Sequence, residues 1–445
     1  MKRKKLLLTS VAALALVPMV AACGNNTGTN GDQRENSNEK ITLTMWQQWG
    51  GGHEEEALKE IIKEYEKLHP NVTINEIPVT DNSKILTAIS GGNPPDIIDL
   101  GSSANIGEWA SKGALTDLTP FIENDKNFNK DAFVPASWKP VTFQGKIYGL
   151  PFMNFNVALL YNKKLFKAAG IEKPPTTLEE LTQDAYKLTK QRADGKITQM
   201  GFLPDYPGQS NGQVVSLEDY GWLFGGKWFD EKANKATAND PANVKALQWE
   251  AQFYQKYGPQ NVADFEKSAG AYLTAQDLFE SGKLAMVYDG PWSLAYILQN
   301  NPGLANDIGV APFPAPASNP SATGTSFIDT NPQVIPTGAK HPQAAFDFIA
   351  WETSNPQVAA KFASLVYNLP QLKNVPGFKL ASDPRFKVFM DEANSENAHA
   401  WTQSPISGEY VSKLAQAESD VLLGKSSPQK ALNDLNNAIN SSLGN

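Results

Sequence analysis

Cysteine is almost missing from these 445 residues: there is one, Cys23. A lone thiol cannot close an intramolecular disulfide, build a cysteine-rich zinc site or form a CxxC redox pair. Histidine is scarce too. His53, His69, His341 and His399 are dispersed, without metal-ligand spacing. His53-Glu54-Glu55-Glu56-Ala57 lacks the second histidine of a zinc-protease helix. No GxSxG nucleophile elbow occurs. Gly424-Lys425-Ser426 lacks the glycine and the preceding strand of a phosphate loop. Positive charge is not in excess, since the net charge is −8, which disfavours broad nucleic-acid binding. No metal and no cofactor is expected. Among 47 acidic residues, nothing singles out a catalytic pair of carboxylates.

What is present is an ordinary globular composition, 41% hydrophobic and 19% charged, long enough for two or three domains of about 150 residues. Residues 2–5 are basic, and Leu6 to Ala22 is an apolar run, broken by Thr9, Ser10 and Pro18, that is short for a membrane span of ~20 apolar residues. The pattern reads as a secretory signal. It ends Val20-Ala21-Ala22-Cys23-Gly24, which resembles a bacterial lipobox. The expectation is a signal peptide over 1–22 and a lipidated Cys23. Two acyl chains anchor a protein stably where one does not. Residues 23–40, rich in Asn, Gly, Thr and Ser, read as a flexible tether. The body would then sit at the extracellular face of the cell membrane.

Ile41 to Trp46 alternates like a strand, and Gly50-Gly51-Gly52 reads as a turn. His53 to Leu68 carries apolar residues at spacings of three and four and three glutamates in its first turn, which predicts a helix stopped by Pro70. Val72–Val79 reads as a strand, Ser83–Ser90 as a helix and Asp96–Leu100 as a buried strand. Helical patterns follow at Thr177–Lys190, Pro241–Tyr257 and Gln343–Thr353, with a proline-rich loop at Ala311–Pro320. Alternating strands and helices point to an α/β fold with a largely parallel sheet.

Four turns stand out because aromatic and uncharged polar residues follow or flank apolar strands. They are Trp46-Gln47-Gln48-Trp49, Leu100-Gly101-Ser102-Ser103, Phe152-Met153-Asn154-Phe155-Asn156 and Tyr288-Asp289-Gly290-Pro291-Trp292. In open α/β sheets, ligands bind beyond the carboxyl ends of strands. Flat rings and amide groups without Arg or Lys suit a neutral polyhydroxylated ligand rather than a phosphate or carboxylate.

Several stretches carry a family resemblance. Met45-Trp46 leads through a glycine turn into a helix ending His69-Pro70-Asn71-Val72. Gly92-Asn93-Pro94-Pro95-Asp96-Ile97-Ile98 and Tyr161-Asn162-Lys163-Lys164-Leu165-Phe166 follow. Phe279-Glu280-Ser281-Gly282-Lys283-Leu284-Ala285-Met286, with Gly290-Pro291-Trp292, is the most specific. From Ile41 almost to its end the chain resembles the bacterial extracellular solute-binding proteins of sugar ABC importers, the maltose-binding-protein-like family. That resemblance implies a two-lobed periplasmic-binding-protein-like fold of type II, with a ligand cleft and several hinge crossings between lobes. One lobe would comprise 40–150 plus 309–368, the other 151–308 plus 369–445.

The resemblance implies that Trp292 stacks on sugar and that Tyr272 contacts it. Tyr410 falls near a third aromatic contact, with Trp401 competing for that position. Ser102 and Ser103 stand where the family places polar contacts. Phe155 replaces an acid of maltose-binding protein, between Asn154 and Asn156. Gln48, Trp49, Asp289, Gly290, Phe327 and Asp329 complete the expected ligand-binding set. The expected partners are a neutral oligosaccharide or other sugar, the transmembrane subunits of an ABC permease and the membrane through the lipid anchor. The expected state is a monomer without catalytic activity. Two rivals remain: a surface glycoside-active enzyme, and a receptor of the same fold for another solute such as a glycerol phosphodiester, a peptide or a metal.

Overall fold

The computed structural model describes residues 39–206, 216–400 and 402–444. The leader, Cys23, most of the tether and Trp401 lie outside the described residues. In the first strand, Ile41–Gln47, Leu43, Met45 and Gln47 are buried in alternation, as a pleated strand with one covered face requires. The helix His53–Leu68 buries Ala57, Leu58, Ile61, Ile62 and Tyr65. It ends as expected, with the His69 N–H donating back to the Tyr65 carbonyl before Pro70. Other helices start at side-chain caps. Thr177 accepts from the Glu180 N–H, and Asp240 accepts from the Ala242 N–H beside Pro241 at the first helical position.

Two sheets organise the body. The first runs in the order Leu369–Pro370, Leu150–Phe155, Asp329–Val334, Ile97–Asp99, Ile41–Gln47, Val72–Pro78. The second runs Ile308–Ala311, Ala158–Asn162, Leu284–Asp289, Ile197–Phe202, Lys190–Gln191. Each has its own core. Leu43, Met45, Phe152, Phe346, Phe348 and Phe362 pack around the first sheet. Leu159, Met200, Phe202, Met286, Val287 and Phe313 pack around the second. Lys40–Asn445 nonetheless fold as one compact unit.

The expected largely parallel sheet is corrected to mixed sheets. Ile41–Gln47 is parallel to both its neighbours, but Asp329–Val334 and Leu150–Phe155 enter antiparallel. Parallel neighbours need long crossover connections. Here the chain instead steps directly from Phe155 in one sheet to Ala158 in the other, and later returns through the 312–328 segment. Asp329–Val334, arriving from the other sheet, runs against both its neighbours, Ile97–Asp99 and Leu150–Phe155. Residues 151–155 and 369–370 pair within the first sheet. Ile308–Ala311 pairs with Ala158–Asn162 in the second. The proline-rich segment between Ala311 and Pro320 is a loop, as its composition predicts.

Candidate functional site

The Leu284–Asp289 strand ends at a turn that reverses into the Trp292–Asn300 helix. Gly290 makes that reversal possible: a Cβ there would lie 2.0–2.4 Å from atoms of the Trp292 ring. The ring is then fixed by a hydrogen-bond relay. Trp292 Nε1 donates to Tyr272 Oη at 2.8 Å, and Tyr272 Oη donates to Asp289 Oδ1 at 2.7 Å. Asp289 also accepts from the Gly290 N–H at 2.7 Å and from Ser293 Oγ at 2.5 Å. Burial pushes the Asp289 carboxyl up to about 6, against the Ser293, Tyr272 and Gly290 hydrogen bonds that hold it down.

Phe155, at the end of the Leu150–Phe155 strand, meets the Trp292 ring edge to face, with centroids 5.8 Å apart at 82°. It meets Phe327 in the same way at 5.7 Å and 82°. The expected residues Phe155, Trp292 and Phe327 therefore form one aromatic wall where the chain passes between the sheets. Asn154 and Asn156 do not join it. Successive strand residues point to opposite faces. Asn154 Nδ2 donates to Ser137 Oγ at 2.7 Å, and Asn156 Nδ2 donates to the Phe389 carbonyl at 3.1 Å. Their amides tie the crossing to its surroundings.

Ser102, Ser103 and Asp329 form a second cluster. Ser102 Oγ donates to Asp329 Oδ2 at 2.8 Å, and the Ser103 N–H approaches the same carboxyl at 3.2 Å. Burial lifts Asp329 to about 6 despite these bonds. Gln48 Nε2 reaches Asp99 Oδ1 at 3.4 Å, and Gln333 Nε2 donates to the other oxygen at 2.7 Å. The half-buried Trp49 ring packs on Phe362 at 5.7 Å against the first core.

Tyr410 lines a cavity of about 390 Å³ together with Glu218, Trp222, Trp228, Phe229 and His399. Its hydroxyl donates to the Trp228 carbonyl at 2.6 Å, and Trp228 Nε1 donates to the Glu218 carbonyl at 2.8 Å. Trp222 stacks on His399 at 4.7 Å and 20°. His399 pairs in register with Phe327, which connects this cavity to the aromatic wall. The Glu218 carboxyl is driven well above the usual range by burial, then by the charges of Asp219 and Asp329. Sequence reasoning missed Glu218, Trp222, Trp228, Phe229 and His399. A signal existed in Gly221-Trp222-Leu223-Phe224-Gly225-Gly226-Lys227-Trp228-Phe229, where aromatics straddle a glycine pair. Among the described residues no group of three or more His, Cys, Asp or Glu could hold a metal ion.

The family model "Bacterial extracellular solute-binding protein" matches residues 51–359. Among curated relatives, a maltotriose-binding protein of Pyrococcus abyssi is 26% identical over 341 residues, covering 73% of this chain and 67% of its own. The diacetylchitobiose-binding protein DasA of Streptomyces coelicolor is 26% identical over 361 residues, covering 78% of this chain and 77% of its own. Among solved structures, CpMnBP1 with mannotriose bound superposes with a TM-score of 0.80 at 32% identity, covering 90% of this chain and all of its own. The fold is thus the two-sheet α/β fold of periplasmic-binding proteins, and the family is a non-catalytic one. The chain belongs to the bacterial extracellular solute-binding proteins.

Proposed function

We propose that this protein is the extracytoplasmic sugar receptor of an ABC importer. It captures a neutral oligosaccharide between two lobes and delivers it to the permease, while Cys23 carries the lipid anchor. The lobes are the bodies built on the two sheets, and the crossings at 156–157, 312–328 and beyond 370 act as the hinge. Ligand contacts to both lobes stabilise the approached state by their differential affinity for it.

One observation carries the reading: the aromatic wall of Phe155, Trp292 and Phe327. Trp292 spends its only polar atom on Tyr272, so its half-buried ring offers an apolar face. Sugar C–H faces stack on such rings, while Gln48, Ser102 and Ser103 lie on the turns beyond the first-sheet strands, where hydroxyls need partners. Tyr272, Asp289 and Gly290 serve the ligand indirectly, by holding Trp292. Relatives named for maltotriose and diacetylchitobiose, and the structural neighbour holding mannotriose, support an oligosaccharide.

The test is a thermal-shift panel of neutral oligosaccharides, including mannotriose and maltotriose, against the chain from Cys23 onward. A ligand that binds the native state alone stabilises it by RT ln(1 + [L]/Kd), so the melting temperature keeps rising with its concentration. The expected result is a concentration-dependent rise with at least one of them. A rise only with a charged solute would replace the sugar with that solute.

A further inference from the structure

One helical turn beyond Trp292, Tyr296 stands on the same face of the Trp292–Asn300 helix. Its hydroxyl donates to the Glu54 carboxyl, 2.9 Å from Oε1 and 3.0 Å from Oε2. Glu54 belongs to the first turn of His53–Leu68, which packs into the first core, whereas Leu294 and Ile297 of the Tyr296 helix pack into the second. The hydrogen bond therefore joins one core to the other. The His53 ring covers it, 4.9 Å from the Tyr296 ring, with Nε2 3.4 Å from Glu54 Oε1. Gly51 and Gly52, at φ of +127° and +87°, turn the chain into this helix start. At Gly52 a Cβ would stand 3.4 Å from Glu54 Oε2 and 4.0 Å from Tyr296 Oη.

A glutamate at 9% exposure on an otherwise amphipathic helix needs a reason. Glu54 has no lysine or arginine partner among the described residues. Its hydrogen bonds come from Tyr296, with the His53 ring beside them. If the two bodies part, both groups return to water and lose nothing. If they approach, a charge-assisted hydrogen bond forms.

We propose that Glu54 and Tyr296 form a clasp on the sugar site, made only in the approached state, that slows release of bound sugar. This rests on the sugar-receptor reading. Neither residue need touch the ligand; both are positioning residues. A bond present only after closure acts on dissociation and leaves encounter alone.

The experiment is stopped-flow binding of mannotriose to wild type, Tyr296→Phe, Glu54→Gln and the double variant. Tyr296→Phe keeps the ring and Glu54→Gln keeps the shape. Tyr296→Phe is expected to speed dissociation about tenfold, the size of a charge-assisted hydrogen bond, and Glu54→Gln, which keeps a neutral hydrogen bond, by less, with association changed less than twofold in both. The double variant should match Tyr296→Phe, since Glu54→Gln removes only the charge that strengthens the bond and has nothing left to weaken once the hydroxyl is gone. Melting temperatures without sugar should stay at the wild-type value. Unchanged dissociation in both singles, additive effects in the double, or a loss confined to association would overturn the clasp. If wild type binds neither mannotriose nor any sugar of the thermal-shift panel, the sugar reading fails first and the clasp falls with it.

Discussion

Trp292 owes its position to neighbours whose polar atoms all turn inward. Asp289 holds Tyr272, Tyr272 holds the indole N–H, and Gly290 leaves room for the ring. A preorganised aromatic of this kind contributes through its face. Trp292→Ala is expected to weaken sugar binding by ~1–3 kcal/mol while the protein stays folded. Calorimetric titration checks it, and unchanged affinity would remove Trp292 from the site. At this scale the sequence was partly legible. Trp292, Phe155 and Phe327 are brought together as a set. Asn154 and Asn156 are adjacent to Phe155 in sequence, yet their amides bond to Ser137 and to the Phe389 carbonyl while the Phe155 ring packs on Trp292 and Phe327. Nothing in the identity of Tyr272 or Asp289 says whether a polar atom points at a ligand or at its own chain. Only three-dimensional hydrogen-bond partners decide that.

At the scale of elements, the helices Pro241–Tyr257 and Ser407–Leu422 press two glutamates together in the second core. Glu250 and Glu418 are both buried. Glu418 Oε1 accepts the Leu217 N–H at 3.2 Å. Burial drives both carboxyls well above the usual range, and the charge of Glu418 adds to the effect on Glu250. Unfolded glutamates lose their protons near pH ~4.3, whereas this pair retains them to higher pH. The folded state therefore binds more protons in that window. Stability contributed by the pair falls as pH rises above the unfolded value and levels off once the folded pair has ionised. E250Q/E418Q should flatten the decline of melting temperature between pH 5 and pH 8 and melt above wild type at pH 8. Parallel melting curves for the two proteins would contradict this. The helices themselves were readable from periodicity and capping residues. Their facing glutamates were not, since residues 168 positions apart in sequence carry no mark of contact.

For the whole molecule, the proposed role couples an anchor to a moving cleft. Cys23→Ser should shift the protein from the membrane fraction to the soluble fraction of expressing cells, read by fractionation and immunoblot. Continued membrane association would contradict lipid attachment at Cys23. The crossings carry the mechanical part of the proposal. The Phe155–Ala158 step is short, and Asn156 ties it to the Phe389 carbonyl. The Glu54–Tyr296 bond lies between the cores, where a turn of one body against the other would make or break it.

By itself the sequence determined the α/β class, the main strands and helices, the family resemblance and the aromatic turns. These depend on local periodicity, capping and short motifs, which a linear chain records directly. The tertiary structure alone decided that the sheets are mixed, because strand direction depends on where the chain returns after each crossing. It also decided which side chains face one another. Trp49 went to the first core, Asn154 and Asn156 to the crossing, Trp222 and His399 to a stack, and Glu54 to Tyr296, 242 residues away. Contacts between distant residues are set by how elements pack, and packing is a property of the folded whole.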